Sequence, residues 1–198
     1  MELVLIRHGE QRTDQQGFDP ELSERGEAQA RALARYLATE SLDAIWASPL
    51  RRAQHTAQFI ATARDVTIDV GADLEELGLR DLRQGSRPID KIVMDRVWRD
   101  LRRGNADATE FDIDGFRTRV VNAIESVIAR YPSRRVAVVC HGGVINVYLA
   151  SLLGIARPVW FMPMHCSIHR VRASNNGTRS VETLNEGHAY RAASPLDL

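Results

Sequence analysis

Leu3-Val4-Leu5-Ile6 is a continuous apolar run of strand length between Glu2 and Arg7-His8-Gly9, the pattern of a strand buried on both faces. After a loop, Pro20-Glu21-Leu22-Ser23 leads into a segment with Ala30, Leu33, Ala34 and Leu37 on one face at helical spacing, with Ser23 as its N-cap. Asp43 to Ser48 predicts a second strand, Pro49 suits the first turn of a helix running through Thr56 and Ile60, and Val66 to Val70 predicts a third strand. Pro88 to Arg103 reads as a polar helical insert broken by Gly104-Asn105-Ala106-Asp107. From Phe116, an amphipathic stripe of Val120, Val121, Ile124, Val127 and Ile128 stops before Pro132. Val136 to Cys140 is another fully apolar strand, and Gly142-Gly143 opens an apolar helix that ends at Gly154. Two alternating segments, Ser167 to Arg172 and Arg179 to Leu184, flank Asn175-Asn176-Gly177 as a hairpin. Strands separated by helices imply a three-layer α/β/α sandwich: a mainly parallel central sheet, an antiparallel edge and a helical cap insertion.

A chain of 198 residues buries roughly 70% of the surface its unfolded state exposes, enough for one core. The expectation is one domain over residues 1–198, with the cap insertion at about 80–115. The 26 basic and 26 acidic residues cancel, which argues against a nucleic-acid or anionic-membrane partner, since either needs cations spread over a face. Apolar stretches are too short to span a bilayer. The N-terminus lacks the basic-then-apolar pattern of a signal peptide, so a cytoplasmic location is expected. The two cysteines, Cys140 and Cys166, make no disulfide framework and suit a reducing compartment. All cationic residues except Lys91 are arginine; coding bias accounts for most of them, so position decides which matter.

In such sheets ligands bind at the carboxyl ends of the strands. His8 follows the first strand directly and His141 follows the Val136 to Cys140 strand, each preceding a glycine that allows close backbone approach. A lone histidine is usually an ordinary polar residue, but here Arg7 adds a guanidinium and the Gly142-Gly143 helix start offers free N–H groups to an anion. The combination calls for a phosphate. Ser48-Pro49-Leu50-Arg51-Arg52-Ala53 lies at another strand end; adjacent helical residues point about 100° apart, so only one of Arg51 and Arg52 faces the pocket. Glu75 and Glu76 follow the third strand, where an exposed acidic turn and a functional carboxylate are equally good readings.

Leu5-Ile6-Arg7-His8-Gly9-Glu10, Pro20-Glu21-Leu22-Ser23-Glu24-Arg25-Gly26, Ser48-Pro49-Leu50-Arg51-Arg52-Ala53-Gln54-His55-Thr56-Ala57 and Cys140-His141-Gly142-Gly143 together resemble the histidine phosphatase superfamily, also called phosphoglycerate mutase-like. The resemblance implies His8 as nucleophile, Arg7, Arg52 and His141 as phosphate ligands, and a proton donor at Glu76, with Glu75 its substitute. It also selects Arg52 over Arg51. It implies a metal-independent phosphomonoesterase working through a phosphohistidine, with a small-molecule phosphomonoester as its partner and no cofactor. His141 doubles as phosphate ligand and catalytic group, and Gly142 supplies backbone donors. The physical logic is that a phosphoryl group spreads its charge over three equatorial oxygens, which planar guanidinium forks meet better than ammonium groups do.

Two features depart from the family pattern. Where an Asn donor is expected, the run Gln11-Arg12-Thr13-Asp14-Gln15-Gln16-Gly17 offers the acceptor Asp14; Gln11 or Thr13 then supplies the missing hydrogen bond. The segment between Arg80 and Gly115 carries Arg83, Arg87, Lys91, Arg99, Arg102 and Arg103, either a cap that selects the leaving group or a solvated helix face. Cys166 and Arg172 fit a cysteine-phosphatase spacing, but the intervening residues lack glycine and alternate as a strand does. His165, His169 and His188 complete no tetrahedral zinc set, and Trp98, Trp160 and Phe161 read as core. A mutase-type phosphotransferase and a non-catalytic phosphoester-binding protein are the alternatives.

Overall fold

The structure, a computed structural model, describes residues 1–14, 19–78, 91–105, 109 and 111–187. Six strands form one sheet in the order β3-β2-β4-β1-β5-β6. They are β1 (Glu2–Arg7), β2 (Ala44–Ala47), β3 (Ile68–Val70), β4 (Arg135–Cys140), β5 (Ile168–Ala173) and β6 (Arg179–Glu186). The pairs β3/β2, β2/β4 and β4/β1 are parallel. The predicted hairpin supplies both antiparallel strands, β5 beside β1 and β6 at the edge.

Among the described residues five α-helices accompany this sheet: α1 (Glu24–Leu37), α2 (Arg51–Thr62), α3 (Lys91–Arg103), α4 (Ile113–Arg130) and α5 (Gly142–Leu153). Val4, Ile6, Ala137 and Val139 point to one side and pack with Leu33 and Leu37 of α1 and Ala57 and Ile60 of α2. Leu3, Leu5, Val136 and Val138 point to the other, against Val120 and Ile124 of α4 and Val144 and Tyr148 of α5. Helices on both faces are the reason β1 and β4 read as unbroken apolar runs.

Element ends follow local chemistry. Ser23 caps α1 by accepting from the Gly26 N–H at 3.0 Å, and α5 ends at Gly154 with a left-handed φ of 66°. Helix α4 begins before Phe116, because the Asp112 carboxylate accepts from the Gly115 N–H at 2.8 Å. Pro49 precedes α2 instead of occupying its first turn, and Leu50 is the N-cap.

Helix α3 falls within the predicted insert. Val97 and Leu101 are buried in the α4/α5 core and Trp98 packs against it, so α3 is not a wholly solvated helix. Arg99, Arg102 and Arg103 are exposed. Arg83, Arg87, residues 15–17 and His188 lie outside the described residues.

Candidate active site

The ends of three adjacent parallel strands build the site. Arg7 of β1 is in register with Cys140 of β4, and the His8 N–H donates to the Cys140 carbonyl at 3.0 Å. The next residue of each strand is therefore histidine facing histidine, with ring centroids 5.0 Å apart. At the end of β2 the Ser48 N–H donates to the Val139 carbonyl at 2.9 Å, which brings the start of α2 to the same place.

His8 is buried. Its Nδ1 lies 2.7 Å from the Gly9 carbonyl oxygen, which only accepts, so Nδ1 carries the proton. Its Nε2 is approached by the Arg52 Nε–H at 3.2 Å, a donor that needs a lone pair there. Burial, then Arg52, His141 and Arg7, hold the His8 pKa well below its usual value. The result is a neutral imidazole with its lone pair on Nε2.

Arg52 is buried, while Arg51 stands in solvent and pairs with Glu21, as the 100° step between helical neighbours requires. Arg52 Nη1 lies 3.5 Å from the Asp19 carboxylate. Arg7 donates from Nη1 to the Pro163 carbonyl at 2.5 Å. Burial and the nearby Arg52 lower its pKa and Glu76 opposes them, but a guanidinium stays charged.

Two buried nitrogens here, Arg7 Nε and His141 Nδ1, have no hydrogen-bond partner among the described residues. A buried unsatisfied polar group costs about 1–3 kcal/mol, and a site that retains such groups is built for a ligand. Gly142 lies between the two elements, and a Cβ on it would come 3.8 Å from Arg7 Nε.

Glu76, and not Glu75, brings its carboxylate to α5. Its Oε2 accepts from the Gly143 N–H and its Oε1 from the Leu77 N–H, both at 3.0 Å. Burial raises its pKa, opposed by these two N–H groups and by Arg52 and Arg7. Glu75 is buried as well, so the exposed acidic turn is overturned; its carbonyl accepts from Arg119 at 3.0 Å. A Cβ on Gly143 would overlap Glu76 Oε1 and lie 2.7 Å from Trp98 Cη2. Trp98 thus stands beside the carboxylate and is not purely a core residue.

Near the sheet end, Asp14 is exposed and paired with Arg12 at 2.6 Å, and Thr13 is exposed too. Gln11 forms a backbone bridge to Leu22.

Sequence reasoning did not place His165, whose ring lies 5.9 Å from that of His8. Burial, Arg7 and Arg25 push its pKa down to about 3. Nor did it mark Asn146, which donates to the Gly142 and Phe161 carbonyls at 2.9 and 3.1 Å and accepts from the Trp160 N–H at 2.9 Å. Asn146 ties the loop carrying Pro163 to the start of α5. His169 is structural: its Nδ1 accepts from the Asn185 N–H at 3.1 Å and its Nε2 lies 3.0 Å from Ser167 Oγ. Burial pushes the Cys166 thiol up to about 12, the reverse of what a nucleophilic cysteine needs.

The family model described as "Histidine phosphatase superfamily (branch 1)" matches residues 3–186. The chain is 31% identical over 168 residues to phosphoserine phosphatase 1 of Hydrogenobacter thermophilus, covering 78% of this chain and 77% of that protein. It is 30% identical over 185 residues to the probable phosphoglycerate mutase GpmB of Citrobacter koseri, covering 86% and 84%. The solved structure of Bacillus stearothermophilus YhfR superposes with a TM-score of 0.77 at 25% identity, covering 95% of this chain and 98% of that one.

Proposed function

We propose that this chain, which belongs to the histidine phosphatase superfamily, hydrolyses small-molecule phosphomonoesters without a metal, through a phosphohistidine formed on His8 Nε2. The observation that carries this reading is the His8 hydrogen-bond pattern: a proton on Nδ1 toward Gly9 O at 2.7 Å and a lone pair on Nε2.

In the first step the Nε2 lone pair attacks phosphorus and the ester P–O bond breaks. Arg7, Arg52, the His141 Nδ1–H and the backbone donors at Gly142 take the charge on the equatorial oxygens. Glu76, whose pKa is raised by burial, gives its proton to the departing oxygen. In the second step the Glu76 carboxylate accepts a proton from water. The water oxygen attacks phosphorus, the N–P bond breaks, and phosphate leaves with His8 neutral again. Gln11 is assigned the place of the family's asparagine. The described part of the insert, helix α3 with Trp98 at the carboxylate, is read as belonging to a cap over the leaving group, within a single domain. The free thiols of Cys140 and Cys166 accord with a cytoplasmic setting.

A phosphomonoester panel run with EDTA, beside His8→Ala, tests this. The expected result is phosphate release by the native protein, none by His8→Ala, and an acid-labile, alkali-stable phosphoenzyme in quenched turnover. Full activity in His8→Ala overturns the mechanism. The similarity to a probable phosphoglycerate mutase favours phosphotransfer as the second reading, and vicinal transfer without phosphate release would select it.

A further inference from the structure

We infer that Ser48 is a positioning residue for the reaction: its hydroxyl donates to His141 Nε2, which obliges the neutral imidazole to carry its proton on Nδ1 and to present an N–H to the phosphoryl group. The inference rests on the phosphate-site reading above and adds the group that sets the donor's polarity.

Ser48 Oγ lies 2.7 Å from His141 Nε2, and both residues are fully buried. A hydroxyl has one proton to give and two lone pairs. One lone pair is engaged by the Leu50 N–H at 3.4 Å. Had His141 held its proton on Nε2, both Ser48 contacts would be donors to oxygen, and the buried Ser48 O–H would itself lack an acceptor. The opposite arrangement satisfies every atom of the pair: Leu50 N–H to Oγ, and O–H to Nε2. That leaves Nδ1 as the proton-bearing nitrogen, and Nδ1 is the buried ring atom that lacks a partner among the described residues.

The geometry is set by the sheet and not by Ser48's own rotamer alone. Ala47 pairs with Val139, the Ser48 N–H donates to the Val139 carbonyl at 2.9 Å, and His141 is two residues farther along β4 as the N-cap of α5. Burial together with Arg52 and Arg7 keeps His141 neutral, so a second ring proton is not available and the tautomer decides the interaction. A lone pair on Nδ1 would repel the phosphoryl oxygens; an N–H donates to them. His8 and His141 thus hold the same tautomer for opposite purposes: His8 offers the bare Nε2, and His141 offers the protonated Nδ1.

The test is the long-range 15N–1H spectrum of ligand-free protein labelled with 15N-histidine, His141 being identified by the signals lost in His141→Gln. The native protein is expected to show Nδ1 protonated and Nε2 bare. In Ser48→Ala the His141 pattern should shift toward Nε2–H, and the Kd for inorganic phosphate should rise about tenfold, the loss of one charge-assisted hydrogen bond. Ser48→Thr keeps the hydroxyl and should keep both the pattern and the affinity. An Nε2–H tautomer in the native protein overturns the inference, and so does an unchanged spectrum and phosphate affinity in Ser48→Ala. Because the spectra need no turnover, the two readings fail separately. A wrong tautomer in a protein that still forms phosphohistidine removes the role of Ser48, whereas the expected tautomer without phosphatase activity removes the function.

Discussion

The Arg52 Nε–H donates to His8 Nε2 at 3.2 Å, so the cation occupies the lone pair that the proposed mechanism uses for attack. A phosphoryl group entering the site takes over that donor with its own oxygens and releases the lone pair toward phosphorus. The same positive charge lowers the proton affinity of His8. Arg52→Gln removes both effects. Its kcat/KM should fall about a hundredfold to a thousandfold, and the acidic limb of its pH profile should move to higher pH as His8 regains proton affinity. A loss of rate with an unmoved limb would show that Arg52 binds phosphate without tuning His8.

The pH profile has a defined shape. In the proposed mechanism His8 acts with Nε2 bare, and its pKa is held well below 6.5, so activity should be lost only as pH falls through that depressed value. In the same mechanism Glu76 acts protonated, and its pKa is raised above 4.5, so activity should be lost as pH rises through that value. The profile should be bell-shaped, with its acidic limb below 6.5 and its alkaline limb above 4.5. Glu76→Gln should lose about a hundredfold with an alkyl phosphate, lose far less with p-nitrophenyl phosphate, and lack the alkaline limb. An unaltered alkaline limb would assign the proton transfer to another group.

Gly143 leaves no room for a Cβ, which would overlap Glu76 Oε1 and lie 2.7 Å from Trp98 Cη2. Gly143→Ala should push the carboxylate off the Gly143 N–H and cost about 1–3 kcal/mol of stability by overpacking, with a fall in kcat larger than the rise in KM. Urea unfolding and steady-state kinetics check it. A variant with native kcat would mean that the Glu76 hydrogen bond to Gly143 is dispensable.

Trp98 is the described side chain of the insert that reaches the carboxylate, whereas Arg99, Arg102 and Arg103 face solvent. Trp98→Ala should reorder kcat/KM among phosphomonoesters with different leaving groups and leave inhibition by inorganic phosphate nearly unchanged. Neutralising Arg99, Arg102 and Arg103 should leave that ranking as it was. An unchanged ranking in Trp98→Ala would remove the cap's role in selection.

Much of this architecture is legible in short-range pattern. The unbroken runs at Leu3–Ile6 and Val136–Val139 mark strands buried on both faces because each alternate side chain meets a helix layer, and Ser23 and Gly154 mark helix ends through backbone hydrogen bonding and φ alone. The α4 boundary was missed because the signal is a side-chain cap on Asp112, placed ahead of the first strongly apolar turn.

The ordered motifs marked the candidate site's members: Arg7 ends β1, His8 and His141 directly follow β1 and β4, and Arg52 lies in the first turn of the helix after β2, and strand ends in a parallel sheet share one edge. Only the tertiary structure decided what these groups do to each other. The sheet order places β4 between β1 and β2, which sets His141 against His8 on one side and Ser48 on the other. The loop entering β5 brings His165 beside His8, and the turn after β3 carries the Glu76 carboxylate, not that of Glu75, to the Gly143 N–H. Proton positions, burial and pKa depend on neighbours distant in the chain, and local periodicity holds no information about which neighbours those are.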